Sequence, residues 1–157
     1  MKLFCLRSAA ALALLGSLAA CKGTPPDTVA ATPDHSDAAL SITNAWIREA
    51  PAGAMMLAGY ATLHNASATP IECTAVSAAD FARVELHQSQ MHDGMAKMAA
   101  LEALMVPANG SATLAPGGNH LMLMHPARAL KAGDTSTLTL HCGDHRVDAA
   151  FTVRVSP

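Results

Sequence analysis

The sequence predicts an all-β fold, a β-sandwich or Greek-key barrel formed by a single domain. Short segments in which apolar and polar residues alternate follow one another from Leu40 to the end of the chain. Turn signals separate these segments, among them Asp93-Gly94, Asn109-Gly110 and Gly143-Asp144. The length of 157 residues suits one domain with tails. Together these features are typical of eight or nine short strands.

The segments predicted as strands can be followed in order along the chain. They lie within LSITNAWIREA, GYATLHNAS, PIECTAVSA, ARVELHQSQMH, MAKMAALEALMVPANGSATLAPGGNHLMLMHP, DTSTLTLHC and HRVDAAFTVRV. The stretch Met95–Met105 also has helix-forming composition, but the Asp-Gly turn before it and the extended pattern after it favour strand. A short turn near Ser77–Phe81 is the other departure from extended structure.

The N-terminus predicts export from the cytoplasm. Lys2 and Arg7 precede an apolar run, Ser8–Ala20, that is short for a bilayer span, so residues 1–20 are expected to be a signal peptide. Residues 18–21, Leu-Ala-Ala-Cys, resemble a bacterial lipobox, which implies lipidation of Cys21. The alternative is ordinary cleavage near Ala20, leaving a free thiol. Residues 21–40, rich in Pro, Ala, Thr and Asp, predict a tether, and residues 41–157 the folded domain.

The charge of the chain argues against nucleic-acid binding, and its cysteine content predicts a disulfide. The net charge is −2 and there is no basic run, so nucleic acid is not an expected partner. Loss of the two basic residues of the signal peptide leaves 8 basic against 12 acidic residues, or −4. Cys5 leaves with that segment, and Cys73 and Cys142 remain. Outside the cytoplasm such a pair is expected to form a disulfide; the alternative is that one of them is a copper thiolate.

Histidine and methionine are abundant, at eight and nine residues. A two-residue turn at Asp93-Gly94 would pair Ser89 with Met98 and His87 with Ala100, which makes His87 and Met98 diagonal neighbours on one face. His120 and Met122 share a face by strand period. If their strand lies beside the hairpin, two imidazoles and two thioethers converge.

Such an uncharged, soft donor set favours Cu(I), whereas zinc prefers thiolates or carboxylates and calcium prefers oxygens. A blue-copper centre would also need a thiolate among the histidines, and none is present there. The set therefore suits carrying an ion better than electron transfer. Other methionines are interpreted as core filler, and the remaining histidines as surface groups: Met55, Met56, Met105, Met124, His35, His64, His141 and His145.

The spacing His87, ten residues, Met98, twenty-one residues, His120, one residue, Met122 resembles the H-x10-M-x21-H-x-M signature of the PCu(A)C periplasmic copper chaperones. The surrounding segments AWIREAPAGA, VELHQSQMHDGMAKM and LAPGGNHLMLM are also similar. The resemblance covers about residues 42–155. It implies a cupredoxin-like β-sandwich, Cu(I) ligation by these four residues, and delivery of copper to the CuA centre of cytochrome c oxidase, often alongside Sco-type thiol chaperones.

Further expectations follow for this chain. Met91, His92 and His125 are candidates for an auxiliary metal site, and the His/Met-rich C-terminal tail of many PCu(A)C members is not found before Pro157. No nucleophile–base pair is evident, so an enzyme is not expected. We expect a monomeric, periplasmic, membrane-anchored lipoprotein. The alternatives are a copper storage or scavenging lipoprotein, a cupredoxin-type electron carrier, and a structural envelope lipoprotein whose methionines are buried.

Overall fold

A computed structural model describes residues 39–92 and 94–155. These residues form ten β-strands and no helix, so the all-β prediction is confirmed. The helical alternative for Met95–Met105 is wrong, because two strands and a short bend occupy it. The strands are β1 (Leu40–Arg48), β2 (Met56–Asn65), β3 (Ile71–Ala78), β4 (Phe81–His92), β5 (Met95–Ala100), β6 (Leu104–Val106), β7 (Gly110–Leu114), β8 (Asn119–Pro126), β9 (Thr135–Cys142) and β10 (His145–Arg154).

The predicted signal peptide (residues 1–20), the predicted lipidation site at Cys21 and the predicted tether up to residue 38 lie outside the described residues. Within the described part of the chain, no helix is long and apolar enough to cross a membrane.

Seven of the strands form a closed ring. Their order is β4-β8-β2-β1-β10-β9-β3, and a bridge between Val76 on β3 and Val84 on β4 returns the ring to its first strand. The pairing of β1 with β10 is parallel, and the others in the ring are antiparallel. Strands β5, β6 and β7 pair with β4, β3 and β2 outside this ring. The ring brings β8 next to β4, although 26 residues separate the two strands in the chain.

The barrel interior follows from the period-2 alternation of the strands. On β9 and β10 every second residue is buried, and Leu138, Leu140 and Phe151 have no exposed surface. On β8 the inward pair is Leu121 and Leu123, also fully buried. Leucine, valine and isoleucine therefore fill the core of this aromatic-poor chain, and each buried side chain of this size contributes about 1.5–3 kcal/mol of transfer free energy.

Methionine does not fill the core as the sequence interpretation proposed. Met55, Met56 and Met105 are 54–59% exposed, and Met124 is only partly buried. The reason is register: Met105 stands between Leu104 and Val106 on β6, which both point inwards, so Met105 points out. An apolar side chain in a strand can occupy the outer face, and composition alone does not show which face it takes.

Alanine substitution of two neighbouring residues on β6 tests whether Met105 lies outside the core. Met105→Ala is expected to change the free energy of unfolding by no more than about 0.5 kcal/mol, because the side chain contacts mainly water. Leu104→Ala, at a position 4% exposed, is expected to cost about 2–5 kcal/mol by removing core volume. Urea unfolding of both variants measures the difference. Equal losses would place Met105 in the core after all.

A disulfide joins β3 to β9. Cys73 and Cys142 are directly opposite each other in the two strands, 69 residues apart in sequence, and their sulfurs are bonded. Both are buried. This agrees with the pairing expected from the cysteine count. While the bond is intact neither sulfur is a thiolate, so neither offers the thiolate ligand of the alternative hypothesis.

Candidate metal site on the outer face of the barrel

Two histidines face each other across β4 and β8. His87 and His120 are direct cross-strand partners, and their ring centres are 6.0 Å apart with the planes inclined by 47°. The preceding pair in this ladder, Leu86 and Leu121, is buried in the core. Because side chains alternate along a strand, the two imidazoles lie on the outer face of the barrel.

His120 presents one ring nitrogen for binding. Its Nδ1–H donates to the carbonyl oxygen of Gly118 at 3.1 Å, which in the neutral ring leaves the lone pair on Nε2. The residue is only 5% exposed despite its outward position. Continuing the β2–β8 register by one residue beyond Gly59–Leu121 places Tyr60, itself buried and in ring contact with Trp46, on the same face beside it. Burial raises the pKa of the Tyr60 phenol.

In His87 the other ring nitrogen, Nε2, is the one engaged in a hydrogen bond. Its Nε2–H donates to Oε2 of Glu85 at 3.0 Å, and its Nδ1 is buried without a hydrogen-bond partner in the described structure. A buried nitrogen with a free lone pair is costly in a folded protein unless it binds something. The two histidines therefore each fix one nitrogen by a hydrogen bond and leave the other free.

The sequence interpretation did not single out Glu85, which accepts a hydrogen bond from His87. The hydrogen bond from His87 holds the pKa of the Glu85 carboxyl below its usual value, and hydrogen bonding and charge from Arg83 act in the same direction. Arg83 pairs with the other carboxylate oxygen. A carboxylate that accepts the second N–H of a metal-binding histidine fixes the ring and its tautomer. The available signal was spacing, since residues two apart in a strand share a face.

Two methionines stand beside the histidines. Met122 is the cross-strand partner of Glu85, so it lies on the same outer face as His120 and two pairs along the ladder. Met98 on β5 is the partner of Ser89, which makes it diagonal to His87, and it is 54% exposed. The β4–β5 register is the one predicted from the Asp-Gly turn. The structure thus places all four sequence-predicted residues on one face.

Two of the three residues predicted for an auxiliary site, Met91 and His125, lie away from this group. Met91 shares the face of His87 but lies four residues along β4, about 13 Å away at strand rise, and is 72% exposed. His125 is exposed at the far end of β8, with a positive φ of 50°. His92 pairs with Met95 through the backbone, but its side chain lies outside the described part of the structure.

The donor atoms on this face suit only some classes of metal ion. Within the described residues, no three side chains from histidine, cysteine, aspartate and glutamate form a group that could hold a metal ion. This face carries two imidazoles and two thioethers, with a carboxylate engaged by one imidazole. Imidazole and thioether donors suit a soft cation and lack the oxygen shell that calcium or magnesium requires.

Comparisons with known proteins place this site in context. Residues 40–155 match the family described as "Putative lipoprotein LpqE-like". The chain is 32% identical over 141 residues to "Putative lipoprotein Lxx21020" of Leifsonia xyli subsp. xyli, which covers 88% of this chain and 82% of that protein.

Among solved structures, the copper-bound PCuAC domain from PmoF2 shares the fold, with a TM-score of 0.67 and 22% identity over 78% of this chain and 98% of that one. The CuI form of DR1885 from Deinococcus radiodurans is 35% identical, with a TM-score of 0.58, over 74% of this chain and 80% of that one. The expected cupredoxin-like β fold is confirmed by these similarities.

Proposed function

Because this chain belongs to the LpqE-like lipoprotein family and has the fold of PCuAC domains, we propose that it is an extracytoplasmic copper chaperone. One observation carries the proposal: two imidazoles face each other, each with one nitrogen engaged and the other free, beside exposed and half-exposed thioethers. The 35% identity to DR1885, a protein solved with Cu(I), supports copper as the cargo.

The proposed ligands are Nδ1 of His87, Nε2 of His120 and the sulfurs of Met98 and Met122. A metal–imidazole bond of about 2.0–2.1 Å puts a ring centre roughly 3 Å from the ion. The 6.0 Å between the ring centres is therefore within reach of one ion bound between the two rings. Met122 is adjacent on β8, and Met98 approaches from β5.

The ligand chemistry suits delivery. A neutral set gains nothing from charge neutralisation when it takes up Cu⁺, whereas a dithiolate does, so copper should pass readily to a thiolate acceptor. We propose that the recipients are the CuA centre of cytochrome c oxidase and Sco-type thiol chaperones. Lipidation of Cys21 would hold a monomeric protein at the membrane on the periplasmic side.

Anaerobic Cu(I) titration against a competing chelator tests the proposal. We expect one tight equivalent, and loss of it to an equimolar reduced dithiol acceptor at neutral pH. Absence of stoichiometric binding would favour a structural envelope lipoprotein. An intense blue Cu(II) complex would indicate a cupredoxin-type electron carrier. Copper that stays on this protein against the acceptor would favour storage or scavenging.

Glu85 offers a test of how His87 is prepared for the metal. Glu85→Ala removes the acceptor for Nε2–H, so the ring can rotate or change tautomer, and Cu(I) affinity is expected to fall about 10–100-fold. Glu85→Gln retains an oxygen that can accept and is expected to lose less. Chelator competition measures both, with Glu72→Ala on β3 as an exposed control. If Glu85→Ala matched the Glu72→Ala control, the hydrogen bond would have no role in binding.

A further inference from the structure

A second group of thioethers adjoins the histidine pair. Strands β2 and β8 pair so that Met56 stands opposite Met124 and Ala58 opposite Met122. Met122 and Met124 are two residues apart on one strand, so they share the outer face with His120. Three methionines, Met56, Met122 and Met124, are thus contiguous on that face, and one of them already belongs to the proposed copper site.

The pairing geometry brings two of these side chains close together. The amide N–H of His125 donates to the carbonyl oxygen of Met55 at 2.8 Å, which marks residues 55 and 125 as a hydrogen-bonded pair. In an antiparallel ladder the next pair, Met56 and Met124, is then of the non-hydrogen-bonded type. There the Cα atoms approach to about 4.5 Å and the side chains are nearest each other.

Packing does not account for these methionines. Met56 is 59% exposed, and Met122 and Met124 are half-buried. The inner face of the same two strands is filled by leucines, at Leu57, Leu121 and Leu123. The three thioethers therefore lie outside the core, on the solvent-facing side of the sheet. There a methionine has no packing advantage over a polar residue.

The charged residue beside these methionines does not leave an unpaired positive charge that would repel a monovalent cation. Arg83 is the cross-strand partner of Met124 on β4, but its guanidinium is paired with Glu85. Ala58 beside Met122 is small, so it does not crowd the face between the two methionine positions. What remains is a neutral, polarisable surface that prefers soft ions such as Cu(I).

We propose that Met56 and Met124, together with Met122, form a second and weaker Cu(I) site through which copper enters or leaves the histidine site. Resting on the proposed chaperone function, the inference adds a route for its cargo. The ion stays bonded to the Met122 sulfur while its bonds to the two imidazole nitrogens and to the Met98 sulfur break and bonds to the Met124 and Met56 sulfurs form. No electron is transferred, and the copper remains Cu(I).

Methyl NMR of the intact protein, with ¹³C in the methionine methyl groups, tests the second site. The probe is Cu(I) under anaerobic conditions, with Ag(I) as a redox-inert cation of the same class. The first equivalent is expected to shift the methyl signals of Met98 and Met122. Further equivalents, which bind while Met122 remains with the first ion, are expected to shift those of Met56 and Met124. Met105 is the internal control, because it is similarly exposed at 54% but stands opposite Glu72.

Two variants complete the design. Met56→Leu is expected to weaken the second binding step at least tenfold and leave the first unchanged, whereas Met105→Leu changes neither. In His87→Ala the Met56 and Met124 signals should still respond to the metal. If their signals never moved more than that of Met105 while the first equivalent bound normally, the second site would be refuted and the chaperone proposal would stand. Failure of the first equivalent in the parent protein would instead refute the proposed function.

Discussion

His120→Asn is expected to abolish tight Cu(I) binding while leaving the protein close to its native stability. The asparagine amide can donate to the Gly118 carbonyl oxygen in place of Nδ1–H, but it has no counterpart of the free Nε2. Loss of a ligand should exceed the 10–100-fold typical of outer-shell changes. Chelator competition for Cu(I), with unfolding of the metal-free protein in parallel, measures both quantities.

The choice of asparagine matters because His120 is buried. An outward position on a strand often tolerates alanine, but His120 is only 5% exposed. His120→Ala is therefore expected to cost about 2 kcal/mol of stability through a lost hydrogen bond and lost packing at a buried position. Met98→Leu, at a position 54% exposed, is the matched ligand variant without that cost. Parental Cu(I) affinity in His120→Asn would remove His120 from the ligand set.

Loss of the Cys73–Cys142 bond is expected to produce the largest change in stability. The bond closes a long loop, with its cysteines 69 residues apart, for which the chain-entropy estimate is roughly 4 kcal/mol. For a domain of this size that corresponds to a lowering of Tm on the order of 15 °C. The variant is Cys73→Ser with Cys142→Ser, followed by thermal unfolding and compared with the reduced parent.

Copper binding provides the contrasting measurement for the disulfide. Because β3 and β9 carry none of the four proposed ligands, the double serine variant should still take up one equivalent of Cu(I) below its unfolding temperature. Loss of that equivalent in a folded variant would indicate that a cysteine sulfur is a ligand. Two free thiols in the parent protein would contradict the bond itself.

The local geometry of the site could be predicted from the sequence. The Asp-Gly turn set the register of β4 and β5, and the alternation in NHLMLMHP put His120 and Met122 on one face and Leu121 and Leu123 on the other. Both are short-range effects, a turn type and a two-residue period, so they can be read from consecutive residues.

Long-range neighbours could not be read in this way. The sequence does not show that β8 lies beside β4, because β5, β6 and β7 intervene and each pairs with a different strand of the ring. For the same reason the Met56–Met124 pair was missed, since its meaning depends on which strand lies beside β8. The outward position of Met105 depended on which face of β6 meets the core, and its two apolar neighbours decide that.

The position of β5 at the end of the sheet order has a consequence for the lifetime of the complex. Within the described residues β5 is hydrogen-bonded to β4 alone, whereas β4 and β8 are enclosed in the ring. A strand with one neighbour opens locally at lower free energy than the barrel does, and it exchanges its amide protons faster. Met98 is carried on that strand. Bound cargo would therefore slow hydrogen exchange along β5, and opening of this hairpin would remove one of the four proposed ligands from the ion.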